Sequence, residues 1–242
     1  MIVNQAEHGW DIIFQRAHAI LAAQIAIYWR VAERPKPWTE LIAAIADHDD
    51  GQRDWEGENH LTDAGAPLNF MLQPPDVMQA KHMVDNARYR SRWTAILASM
   101  HTTALYESWR GTDDKLDKFL DEQQNYQRKL ARSLNVPIQT VRDYYQLMYF
   151  SDALSLLLCK DKIPSDGLHL EVTQLPSGET AEIYALDDKL FTLQPWPWEE
   201  NEVTLNTEVY HLSQLSFESD QELYEAFDEA AITAKEWRFK TS

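Results

Sequence analysis

The hydrophobic pattern of this chain changes period near Ile163, and that switch limits what it can build. Upstream, apolar residues recur at helical spacing. Ile13, Phe14, Ala17, Leu21, Ile25 and Tyr28, following Trp10, predict a helix that ends before Arg34-Pro35. Trp38 to Asp47, carrying Leu41, Ile42 and Ile45, predicts a second. Asp49 to Pro75 holds Asp49-Asp50-Gly51, Asp63-Ala64-Gly65 and Pro74-Pro75, which mark a long loop of the kind that usually serves a function. A third helix is expected over Val77 to Trp109, with room for one break, and a fourth over Asp113 to Leu134. A fifth starts at Val136-Pro137, where proline suits a first turn, and runs to Cys159.

Downstream, apolar and polar residues alternate. Leu168-His-Leu-Glu-Val172, Ala181 to Leu186, Phe191-Thr-Leu193 and Val203 to Tyr210 read as strands, separated by turns at Pro176-Ser-Gly-Glu179 and Asp187-Asp188. Ser219, with Glu222 three residues later, predicts a capped helix up to about Ala234, and Trp237 to Phe239 would close a small antiparallel sheet. The expected architecture is mainly α: a helical bundle over residues 1–163, then a small antiparallel α+β part over 164–242 packed on it.

Charge narrows the partners. Thirty-nine acidic residues against 22 Lys and Arg give a net charge of −17, the wrong sign for neutralising a nucleic-acid backbone or adhering to an anionic membrane. No apolar run reaches membrane-spanning length, since Gln24 interrupts the longest, and no secretory leader is evident. Cys159 is the sole cysteine and lies in an apolar run, so a reducing, cytoplasmic setting is expected. The expected partner is a small-molecule substrate, with self-association into a homo-oligomer left open. There is no Gly-rich phosphate loop, no Gly-x-Ser-x-Gly elbow and no Cys-x-x-Cys.

Chemistry concentrates where apolar surroundings make it costly. His18 lies between Ala17 and Ala19 on a predicted helix. His48-Asp49 follows the apolar stretch Leu41 to Ala46 where a helix meets the long loop, and His101 follows Ala95-Ile-Leu-Ala-Ser-Met100. Asp152 sits in the most hydrophobic run of the chain, Tyr149 to Cys159, with no Lys or Arg between Arg142 and Lys160. A buried carboxylate is expensive unless it is paired or bound to a cation. A metal ion would satisfy all five groups together, whereas a hydrogen bond to Ser155 or Tyr144 would satisfy Asp152 alone.

In this order the residues resemble the HD superfamily of metal-dependent phosphohydrolases, whose ligands are a His, an adjacent His-Asp pair and a distant Asp. More closely, the chain is similar to an uncharacterised bacterial family with an HD-like arrangement. The matching segments are Gln15-Arg-Ala-His18, His48-Asp-Asp-Gly51, Ser99-Met-His101, Asp152-Ala-Leu-Ser-Leu156 and Pro195-Trp-Pro-Trp198. The resemblance implies an HD-domain-like bundle and a metal held by His18, His48, Asp49 and Asp152, with His101 as a further ligand and His82 or His60 as candidates for a sixth group. It implies one or two divalent transition ions, and this donor mix suits Fe, Mn, Ni, Co or Zn. Asp49 would also bridge in a two-metal site, while Asp50 and Glu56 are candidates for orienting water. The lysine that often contacts phosphate in that superfamily has no match here, leaving Arg53 or Arg92 for that role. The expected activity is hydrolysis of a small phosphorylated molecule by metal-activated water. A two-iron oxygenase and a non-enzymatic metal-binding or sensing protein are the alternatives.

Overall fold

The computed structural model describes residues 1–49, 59–164, 167–187 and 189–241. It corrects the mainly α expectation: the chain builds a seven-stranded sheet in the order β1-β2-β6-β7-β5-β4-β3, with strands drawn from both ends of the sequence. The first two, β1 (Ile2–Ala6) and β2 (Gly9–Ile13), form a hairpin. β3 (Leu170–Gln174), β4 (Thr180–Asp187), β5 (Leu190–Gln194), β6 (Glu202–Leu212) and β7 (Ala231–Lys240) follow the helices. Most pairings are antiparallel, but β5 runs parallel to β7, so the sheet is mixed.

Two local features explain the difference. Ile12, Ile13 and Phe14 form a continuous apolar run, which fits a helix or a strand equally well. In the structure Trp10 and Ile13 lie on β2, and helix α1 begins only at Gln15. Period-two alternation then decides which way each residue points: Ile2 and Ile13 enter the main core, while Ile12 faces a second core with Leu212, Phe217, Leu223 and Phe227. Gly9 makes the hairpin fit. Its φ is +99°, and a Cβ there would lie 1.8 Å from the carbonyl oxygen of Leu212 on β6. At the other end, the predicted last helix stops early: α7 covers Asp220–Glu229, and Ala231 to Ala234 already belong to β7.

The other helices are α1 (Gln15–Ile27), α2 (Trp38–Ala46), α3 (Val77–Ala87), α4 (Arg92–Tyr106), α5 (Asp114–Leu134) and α6 (Ile138–Cys159). The expected break in the third predicted helix falls between α3 and α4, where the Ser91 hydroxyl accepts from the Thr94 amide and Thr94 returns the bond in a capping box. α1 packs on β6 and on α6. β6 presents Val203, Leu205, Thr207 and Val209 to the interior and leaves Glu202, Thr204, Asn206 and Glu208 outside. Because β2 pairs with residues 210–212 of β6, the rest of that edge lacks a strand among the described residues. Gln24 of α1 fills in, donating to the Asn206 carbonyl at 3.0 Å and accepting from its amide at 3.1 Å.

Pro195 to Trp198 is the joint between α1 and the sheet. Trp198 is buried and donates from Nε1 to the Ile25 carbonyl at 2.9 Å, Arg30 donates to the Trp196 carbonyl, and the Glu199 amide bonds to the Tyr28 carbonyl. Among the described residues no helix is long and apolar enough to cross a membrane. Cys159 is buried in the core, which pushes its thiol up to about 12.

Candidate metal centre

Four helical segments bring the predicted polar residues together. His18 comes from the second turn of α1, His48 and Asp49 follow the end of α2, His101 comes from α4 and Asp152 from α6. All three histidines and Asp152 are buried, and Asp49 is nearly so. The imidazoles stand edge to face in a row, His18 to His48 and His48 to His101, each pair 4.9 Å apart at the ring centres. Two overlapping groups have donor atoms within 4.8 Å of one another: His18, His48 and Asp49, and His48, His101 and Asp152.

Hydrogen bonds on the outer side set the state of two rings. Ser155 donates its hydroxyl hydrogen to the Asp152 carbonyl at 2.8 Å, so its oxygen accepts from His18 Nδ1 at 2.9 Å. His48 Nδ1 donates to the Ile45 carbonyl at 2.6 Å. In each neutral ring this leaves Nε2 as a lone pair facing inward, the arrangement found around metal-ligating histidines. His18 Nε2 lies 2.5 Å from Asp49 Oδ2. His48 Nε2 lies 3.3 Å from Asp152 Oδ1 and 3.6 Å from Asp49 Oδ2, yet it is a buried atom with no hydrogen-bond partner. Lone pairs aimed at carboxylate oxygens repel unless a cation stands between them. Donor atoms around one ion bound at ordinary N and O distances are about 3–4 Å apart, and the spacings here are close to that.

Charge on the groups carries the same message. Burial works to lower the His48 pKa, but Asp49 and Asp152 together outweigh it and push it up to about 10. Burial works to raise Asp152, and His48 outweighs it, holding the carboxyl well below the usual carboxylate range; Asp49 is lowered for the same reason, with His18 adding to His48. His101 is different: burial first, then its neighbour His48, depress it to about 4, so it stays neutral. Two carboxylates and three imidazoles thus form a site of net charge −2 that calls for a cation, either a proton on His48 or a divalent ion.

Gln15, one turn before His18, also reaches the site. It is buried, and its Nε2 stands 3.4 Å from Asp49 Oδ2. Tyr145 closes the far side, its hydroxyl 3.4 Å from His101 Nδ1. Sequence reading assigned no role to Gln15 or Tyr145; the spacing Gln15-x-x-His18, one helical turn, was the available signal for the first. A cavity of about 40 Å³, lined by His48, Asp49, Gln79, Met83, Thr102 and Tyr106, touches the site between α3 and α4, with room for about one water.

Other predicted residues stand elsewhere. His82 is exposed on α3. The His60 amide bonds to Asp220, and its imidazole pKa is lowered by burial. Arg92 donates to the Ser133 carbonyl on an exposed surface, Arg90 pairs with Asp47 at 3.1 Å, and Arg88 pairs with Asp85. Tyr144 packs against Trp93, and Ser155 bonds the Asp152 backbone, so neither satisfies the Asp152 carboxylate. Asp50, Arg53 and Glu56 lie outside the described residues.

Fold and site together define an α+β protein with a buried His/Asp centre. The chain belongs to the family described as Protein of unknown function (DUF3891), whose model matches residues 1–214, ending just beyond β6. No curated protein and no solved structure matches it.

Proposed function

We propose that this protein is a metal-dependent hydrolase acting on a small, phosphorylated molecule. The observation that carries the reading is His48 Nε2. It is a buried ring nitrogen without a hydrogen-bond partner, flanked by two carboxylate oxygens, in a ring whose other nitrogen is already committed. His18, His48, Asp49 and Asp152 would hold the ion, with His101 completing the set. Their order along the chain is that of the HD phosphohydrolases, so the proposed kinship is one of site, not of fold. A bound divalent ion lowers the pKa of a water and polarises a phosphoryl oxygen. The chain's own residues orient the ligands: Ser155 and the Ile45 carbonyl fix two rings, and Gln15 holds Asp49.

The two donor groups share His48, and the set suits one or two ions drawn from Fe, Mn, Ni, Co or Zn. His82 is exposed on α3, which leaves the two-iron reading without that candidate for a sixth group. Elemental analysis of untagged protein purified without chelator, beside Asp152→Ala, tests the proposal. About one or two equivalents of transition metal, lost in the variant, support it and direct a phosphoesterase screen. A wild type still empty after incubation with Fe, Mn and Zn overturns it. A loaded protein inactive on every phosphoester would point to the non-enzymatic sensing role.

A further inference from the structure

We infer that Gln15 is a positioning residue whose side-chain oxygen accepts a hydrogen bond from the water, or substrate hydroxyl, held at the metal centre; the inference rests on the metal reading above. Chemistry fixes the orientation of the amide. Nε2 stands 3.4 Å from Asp49 Oδ2, and the flipped amide would set carbonyl against carboxylate. Oε1 is therefore the free end, and it is a buried atom with no partner in a residue only 5% exposed.

Buried carbonyls are rarely left unpaired, so the missing donor needs a source. The groups around the site do not supply it. The Nδ1 hydrogens of His18 and His48 go outward to Ser155 and Ile45, and no described group stands as a donor at Oε1. No described residue donates to it, so a molecule that is not part of the chain would supply the donor. A water or hydroxyl brought in by the ion has hydrogens to give, and an amide receives one without adding charge to a centre that two carboxylates and one divalent ion already balance. Gln15 would thus join ligand and nucleophile, with one atom steadying Asp49 and the other aiming the incoming oxygen.

The two atoms can be separated. Gln15→Glu keeps an oxygen at the same reach and gives up the donor to Asp49; Gln15→Met gives up both. The measurements are Mn²⁺ affinity by chelator competition, solvent-proton relaxation per bound Mn²⁺, and thermal melting. Loss of an outer hydrogen bond to a ligand should weaken Mn²⁺ about 10- to 100-fold in Gln15→Met. Relaxation per bound ion, which reads the ordered water, should change in Gln15→Met and stay near wild type in Gln15→Glu. Wild-type relaxation in a folded Gln15→Met protein overturns the inference and leaves the metal reading standing. If Gln15→Met does not melt cooperatively, Gln15→Asn, which withdraws the amide by one methylene, replaces it with the same expected change. A wild type that takes up no ion defeats the metal reading itself, and the inference with it.

Discussion

Ser155 Oγ stands 2.9 Å from His18 Nδ1, and because its own hydrogen goes to the Asp152 carbonyl it can only accept. One hydroxyl on α6 thus sets the tautomer of a ring on α1. Ser155→Ala should weaken metal binding about 10- to 100-fold and leave a buried imidazole N–H unpaired, at about 1–3 kcal/mol of stability. Chelator competition and melting check both, and unchanged affinity would show that the ring needs no such support.

Removing a ligand should cost more than removing its support. Asp152→Asn keeps the shape of the side chain but not the charge, so it should lower metal affinity by more than about 100-fold, beyond the usual outer-shell effect. The measurement is ion content after dialysis.

Metal-free protein should lose stability on both sides of neutrality. His48 has a folded pKa of about 10 against an ordinary 6.5, so the folded state holds the extra proton and stability declines as pH rises through that window. His101 is depressed to about 4, so the unfolded state gains a proton first and stability also declines as pH falls from 6.5 toward 4. Asp152, held below its ordinary range, adds a loss at still lower pH. A saturating ion replaces the His48 proton, and the alkaline decline should disappear. Melting temperatures across pH, with EDTA and with metal, check this; an alkaline slope unaffected by metal would place the ion elsewhere.

At neutral pH an ion present at 100 times its Kd should stabilise the fold by about 2.7 kcal/mol. For a chain of this length that is roughly 2–4 °C in Tm per kcal/mol. Asp152→Asn should show almost none of this gain.

Gly9→Ala tests the hairpin. A Cβ at φ +99° would meet the Leu212 carbonyl at 1.8 Å, so the docked hairpin must shift. Backbone strain alone should cost about 1–3 kcal/mol, with further loss from displaced β2–β6 pairing. A variant that melts with wild type would show that the hairpin contributes little.

The sequence exposed the site better than the fold. His18, His48, Asp49, His101 and Asp152 could be singled out because each is a polar group in an apolar stretch, and the structure brings these five together. α5 and α6 were legible because their periodicity is long and their starts carry a capping or proline signal, and α2 because Pro37 marks its start. The hairpin was not. Ile12-Ile13-Phe14 has no period of its own, and the partner that makes Ile12 a strand residue, Tyr210, lies about 200 positions away. Ala231 to Ala234 reads as the tail of α7 until the neighbour β6 is known. Tyr145 carries no local anomaly and Gln15 only its one-turn spacing from His18; their role depends on which atoms face them across helices.

Pairing of β2 with β6 has a consequence for how the centre comes into being. The hairpin ends at Ile13 and α1 starts at Gln15, so His18 is anchored in part by a strand encoded at residues 202–212, beside its packing on α2 and α6. Contacts of such sequence separation are slow to form. As the chain leaves the ribosome, α2 to α6 can assemble His48, Asp49, His101 and Asp152 while α1 still lacks its bed on the sheet. Until β6 arrives the His18 arm has only α2 and α6 to hold it, so ion capture is expected to tighten at that late step of maturation.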